Sequence, residues 1–276
     1  MSPLWRDEVG VYLAPQRICL VRLQRGVRPK VIDQAEVALA GQKEGYLTTI
    51  DALCALLQEP RWQGARLRAV LADHWVRYVV VPWSDRLTSS QERQAHARQL
   101  LVTIYGEAVA DWELRVSEAA PRMNRVGCAL PGELLGALRA ACATSGHELL
   151  SLQPQLLTAY ESWRHALPRG NAWFVSIEPG SLAAARLTPL GWDRVHSIRM
   201  GTDWLRELRR LQTFGRLASE DPAEGRVYVD APQVWREVAA LHGPEEGESW
   251  ALHWLDEEVA PLSTLHQLNR RRRLAA

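Results

Sequence analysis

Val9-Gly-Val-Tyr-Leu-Ala-Pro-Gln-Arg-Ile-Cys-Leu-Val-Arg-Leu23 reads as an apolar strand, a tight turn and a second apolar strand. The same pattern returns at Ala172-Trp-Phe-Val-Ser-Ile-Glu-Pro-Gly-Ser-Leu-Ala-Ala-Ala-Arg-Leu187. After the first copy the chain offers a third strand at residues 30–39 and then a helix. After the second it offers a third strand near 193–199 and a helix beginning at Asp203, a residue type suited to an N-cap. A strand–turn–strand–strand–helix unit repeated at this long period predicts a duplicated two-lobe α/β fold and not a solenoid.

Outward from the first hairpin, Ile50, Leu53, Cys54 and Leu57 recur at helical spacing over residues 47–58, and Pro60 stops that helix. Strands follow at 67–72 and 75–81, the second ending at Pro82-Trp83. Residues 84–150 change rhythm. A helix opening at Ser90 carries Ala97, Leu100, Leu101 and Ile104 on one face and ends at Gly106. Two strands (112–118 and 124–130), a helix from Gly132 to Ser145 and a short strand at 148–152 complete a compact α+β unit. A connecting helix covers 154–167. Beyond it lie the second hairpin, a strand at 226–230, a further helix, a polar loop at 243–249 and an Arg-rich end. The division expected from this pass is residues 1–83 with 154–168 as first lobe, 84–153 as inserted subdomain, and 169–276 as second lobe.

Composition excludes several classes. A chain of 276 residues with 47% hydrophobic and 24% charged residues is that of a soluble globular protein. A formal net charge of +1 supplies no global field toward nucleic acid. The four cysteines stand singly in apolar runs, the pattern of core thiols in a reducing compartment. No signal peptide and no bilayer-spanning apolar run is present, so a cytoplasmic location is expected. The eight His show no metal-ligand spacing, and no Gly-Xaa-Ser-Xaa-Gly motif or paired carboxylates mark an active site. Twelve Trp against two Phe is unusual. It has two explanations: an aromatic interaction surface, or a coding bias that also makes nearly all basic residues Arg.

The duplicated hairpins resemble the phosphate-gripping hairpins of the actin-like ATPase (RNase H-like) fold, and the whole pattern is most similar to the PilM, GspL and MshI proteins of type IV pilus and type II secretion machines. Two more stretches carry the resemblance. Val70-Leu-Ala-Asp-His-Trp-Val-Arg-Tyr-Val-Val-Val-Pro-Trp83 is similar to a strand, Val-Arg, strand, Pro-Trp passage of those relatives. Residues 124–154 resemble the strand–Pro–helix–Gly–strand–Pro passage of the PilM insert.

The resemblance implies a nucleotide site that this chain has lost. Active members hold phosphates between two Gly-rich turns whose backbone N–H groups face the ligand, with an acid in each turn helping to hold Mg²⁺. Here Tyr12 stands where the family has Asp. Ala14, Pro15 and Gln16 fill the Gly-rich part, and Pro15 has no N–H to donate. The second turn keeps Glu178, Gly180 and Ser181 but carries Pro179. The adenine-side Gly-Gly place reads Val227-Tyr-Val-Asp-Ala-Pro232. Ala14, Gln16, Glu178, Gly180 and Ser181 are thus expected as vestigial phosphate turns, with no catalytic residue and neither ATP nor Mg²⁺ as cofactor.

The expected role is then a non-catalytic scaffold of a bacterial type IV pilus or type II secretion-like assembly platform, peripheral on the inner face of the inner membrane. Its implied partner is the cytoplasmic N-terminal tail of a PilN-like single-pass membrane protein, with an assembly ATPase as a second candidate. Trp75, Arg77, Tyr78 and Trp83, near the junction of lobe and insert, are the candidate anchors for such a peptide. Their alternative reading is two buried Trp at strand ends and Arg77 at an exposed alternate position. Arg270–Arg273 fits either an anionic leaflet or a solvated tail. The competing functional reading is a working ATPase or sugar-kinase-like phosphotransferase of the same fold, relying on Glu178 and Ser181. A third, an FtsA-like division scaffold, would call for a C-terminal amphipathic helix where this sequence has a short Arg-rich end.

Overall fold

The structure, a computed structural model, describes residues 6–24, 30–39, 45–199, 204–217, 226–232 and 251–255, with the side chains of 211–217 and 251 left aside. Strands β1 (Glu8–Ala14) and β2 (Arg17–Gln24) form an antiparallel two-residue hairpin with Ala14 opposite Arg17. Strand β3 (Lys30–Ala38) adds to β2, and β4 (Arg66–Leu71) runs parallel to β1. Strand β8 (Leu149–Pro154) adds parallel to β4, giving the sheet order β3-β2-β1-β4-β8. The second lobe repeats this plan with β9 (Ala172–Glu178), β10 (Ser181–Thr188), β11 (Gly191–Arg199), β12 (Arg226–Asp230) and β13 (Ala251–Trp254), in the order β11-β10-β9-β12-β13. The duplication predicted from the two hairpins is therefore a duplication of whole sheets.

Burial explains the two central strands. Every residue of β1 and of β9 is buried, as a strand with neighbours on both sides and cover on both faces requires. Val9, Val11 and Leu13 face helix α1 (Tyr46–Leu57) and helix α3 (Gly132–Thr144) through Leu53, Leu57, Leu134 and Leu138. On the opposite face Tyr12, Ala14, Cys19, Val21, Val70 and Ala72 form a second buried strip. In the second lobe Trp173, Val175 and Ile177 pack with Trp204, Leu205 and Leu208 of helix α5 (Trp204–Leu217). The expected N-cap Asp203, the helix after residue 232, the polar loop at 243–249 and the Arg270–Arg273 end lie outside the described residues.

The insert is smaller than the rhythm of the sequence suggests. Strand β5 (Arg77–Val81) pairs antiparallel with β7 (Arg125–Leu130), and β6 (Glu113–Val116) pairs with β7 on its other side. Helix α2 (Ser90–Tyr105) covers one face of this sheet through Ala97 and Leu101. The insert thus begins at the one-turn Asp73–Trp75 helix and ends at Leu130, whereas 84–153 was expected. The polar stretch at 84–89 is a loop inside the insert. Helix α3 packs on α1, and β8 joins the first lobe's sheet, so both return to that lobe. A capping box opens α2: Ser89 Oγ accepts from Glu92 N at 3.1 Å and Glu92 Oε2 accepts from Ser89 N at 3.0 Å. Helix α4 (Gln155–Trp163) then bridges to the second lobe. Among the described residues no helix is long and apolar enough to cross a membrane.

Candidate functional site

The two hairpin turns both place proline at the tip: Pro15-Gln16 in the first lobe and Pro179-Gly180 in the second. Neither proline has a backbone donor. Gly180 takes φ +81°, a conformation that favours glycine, while Gln16 keeps negative φ. Ala14 is buried and Gln16 is exposed, with its carbonyl accepting from Leu39 N at 2.8 Å.

Between the turns lies a buried hydrogen-bond network that joins the lobes. The Tyr12 hydroxyl, from β1, donates to Oε1 of Glu178 at the end of β9. Oε2 of Glu178 accepts from the backbone N–H of Asp73 at 2.9 Å and from the Ser181 hydroxyl at 3.2 Å. Glu178 is only 1% exposed, so a charge there requires such donors. Asp73, fully buried, repeats the theme. Its Oδ1 accepts from the Tyr78 hydroxyl and from Leu156 N at 3.1 Å, and its carbonyl accepts from the Ser197 hydroxyl at 3.4 Å. One cluster therefore draws on β1, the 73–75 turn, β5, α4, β9, β10 and β11. Burial, then the nearby Asp73 charge, pushes the Tyr78 phenol well above its ordinary value, so it stays a donor. Asp230, at the foot of β12, accepts from Trp163 Nε1 at 3.1 Å.

A second feature is a groove of about 350 Å³ between the first lobe and the insert. Leu71, Val76, Cys128 and Leu130 line its apolar part; Glu113, Arg115 and Arg139 stand at its polar part. One wall is β8, whose only strand neighbour among the described residues is β4, so its other edge pairs with no described strand. Residues Leu149 to Gln153 are half-buried along it. Burial pushes the Cys128 thiol up to about 11, which keeps it neutral and unreactive.

The predicted peptide anchors fall elsewhere. Trp75, 6% exposed, and Tyr78 are core residues. Arg77 is half-buried, its guanidinium 5.8 Å from the ring centroids of both Tyr105 and Trp112 and donating to the Val76 carbonyl at 2.9 Å. Those three side chains are engaged inside the molecule. Trp83 alone is open, 38% exposed, and it does not line the groove. The sequence reading did not single out Arg139, Arg115 or the β8 edge. The apolar run at residues 149–152 was the available signal, but only the strand order reveals that it borders an opening.

Comparison with known proteins bears on the fold. No protein-family model and no curated protein matches the sequence. Among solved structures, a chain of the PilM–PilN type IV pilus biogenesis complex superposes with a TM-score of 0.63 at 16% identity, covering 96% of each chain. The cytoplasmic domain of EpsL, an inner-membrane component of the Vibrio cholerae type II secretion system, gives 0.57 at 13% identity, covering 98% of this chain and 95% of that one. A Bacteroides thetaiotaomicron protein with the actin-like ATPase fold and unknown function gives 0.58 at 12% identity, covering 88% and 90%. The chain has the actin-like ATPase fold.

Proposed function

We propose that this protein is a non-catalytic actin-like scaffold of a bacterial type IV pilus or type II secretion-like assembly platform. It works at the cytoplasmic face of the inner membrane and holds the N-terminal tail of a single-pass membrane partner. The carrying observation is the Tyr12–Glu178 hydrogen bond. In the family the resemblance points to, an acid stands at the place of Tyr12, and the space between the turns takes phosphate and Mg²⁺. Here a phenol reaches across to the surviving acid, and both oxygens of Glu178 are engaged by internal donors. With proline at both tips as well, these residues do not fit a magnesium–nucleotide.

The groove beside β8 supplies the alternative site. An open strand edge offers main-chain N–H and C=O groups to an extended peptide, and the adjoining apolar pocket accepts its alternate side chains. The superposition on a chain of a PilM–PilN type IV pilus biogenesis complex supports a tail of that kind as occupant. An assembly ATPase would be a further partner.

Two measurements test this reading together. Thermal melting with millimolar Mg·ATP is expected to show no shift. A synthetic N-terminal tail of the membrane protein encoded beside this gene is expected to bind and raise the melting temperature. A clear shift with ATP that disappears in Glu178→Ala, with no response to the tail, would overturn it in favour of an enzyme.

A further inference from the structure

At the far end of β5 the insert carries a second pocket, of about 220 Å³, walled by Pro82, Trp83, Leu87, Arg93, Pro121 and Arg125. Both guanidinium groups are fixed by backbone carbonyls. Arg93 Nη1 donates to the carbonyls of Leu87 at 3.2 Å and Thr88 at 3.1 Å, and Arg125 Nη2 reaches the Ala119 carbonyl at 3.4 Å. Neither forms an ion pair among the described residues. The Nε–H of Arg125 is buried and meets no acceptor there. A partly desolvated pair of cations without a countercharge is unfavourable unless something else supplies one.

The remaining walls specify what that is. Trp83 is the exposed aromatic of this region, and its backbone N–H donates to Asn124 Oδ1 at 3.0 Å. Asn124 in turn donates from Nδ2 to the Trp192 carbonyl at 2.9 Å, tying the pocket wall to the second lobe. Two prolines stiffen the rest. A pre-set aromatic face beside two anchored guanidinium forks suits a carboxylate that arrives next to an apolar side chain. We infer that this pocket docks an acidic peptide segment of a partner protein, an Asp or Glu flanked by an apolar residue. It is separate from the β8 groove, and the inference does not rest on the pilus reading.

The test is an array of end-capped hexapeptides of random sequence, probed with the full chain at low salt. Bound peptides are expected to carry Asp or Glu beside an apolar residue. Replacing that acid by its amide should weaken binding about tenfold or more, as should Arg125→Gln or Trp83→Ala in the protein. The Leu135→Trp variant, altered only at the β8 groove, should bind these peptides unchanged. Selection of no peptide, of peptides without an acid, or of peptides that bind Arg125→Gln equally well would overturn the inference. Inorganic phosphate is titrated in parallel, and saturation by phosphate with no peptide selected would assign a simple anion site instead. The amide-for-acid arm changes the peptide alone, so it keeps the test sharp should a protein variant fold poorly.

Discussion

Tyr12 and Glu178, 166 residues apart, meet through a hydroxyl–carboxylate hydrogen bond in the buried space between the two lobes. Tyr12 lies two residues before the end of β1 and Glu178 ends β9, each the central strand of its own sheet, so the bond ties one lobe to the other. Tyr12→Phe leaves Glu178 Oε1 short of a donor and should cost about 1–3 kcal/mol in urea unfolding. Ser181→Ala and Tyr12→Phe act on the same carboxylate. Their double variant should therefore depart from additivity by at least about 0.5 kcal/mol. Strict additivity would show that the two donors do not share a rigid cluster.

The Tyr78–Asp73 contact sets an alkaline limit. The Tyr78 phenol is raised in the folded state by burial and by Asp73, so above pH 10.0 the unfolded chain releases this proton while the native chain retains it. The unfolded state then binds fewer protons, and stability falls as pH rises from that point. Below it the contribution is complete. Unfolding midpoints measured from pH 8 to 11 should drop steeply in the parent protein. Tyr78→Phe should start from a lower midpoint, because Asp73 loses a donor, and then fall more gently. Equal slopes would remove Tyr78 as the source.

How far the sequence reaches is clear from particular residues. Both hairpins were legible because near-continuous apolar runs flank a proline turn, and the lobe duplication followed from them. The insert boundary was not legible. Tyr78 and Val80 alternate in β5 as residues of any lobe strand would, and only their pairing with Cys128 and Val126 assigns them to the insert. Tyr12 and Glu178 were each recognisable as departures from the fold's usual turns, yet their contact depends on how the lobes close. Trp75 reads as an exposed anchor or a buried one with equal ease, because burial of a strand-end aromatic is decided by neighbours distant in sequence.

Gly127 shows how tightly the insert sheet is packed. A Cβ there would stand 2.9 Å from Val79 Cγ2 and 3.5 Å from Leu114 Cδ1. Val79 and Leu114 are themselves buried against α2. Neither side chain can withdraw without displacing that helix, so Gly127→Ala should destabilise by about 1–3 kcal/mol. Gly136→Ala, at an exposed position of α3 where a Cβ meets nothing within 4 Å, should instead be neutral or stabilising. Parallel melting curves of the two variants check the contrast.

The β8 groove makes the last prediction. Leu135 on α3 is half-buried at its rim, and a larger ring there would occupy the space a peptide needs beside the open edge of β8. Its helical neighbours Leu134 and Leu138 hold the core and are untouched. Leu135→Trp should therefore weaken binding of the partner's tail about tenfold or more while changing unfolding free energy by less than about 1 kcal/mol. Arg139→Glu, at the polar part of the same groove, should reverse the response to tail charge: an acidic tail loses affinity and a basic one gains. Titration calorimetry with tails of both signs measures this. Unchanged affinity in both variants would mean that the tail docks elsewhere on the molecule.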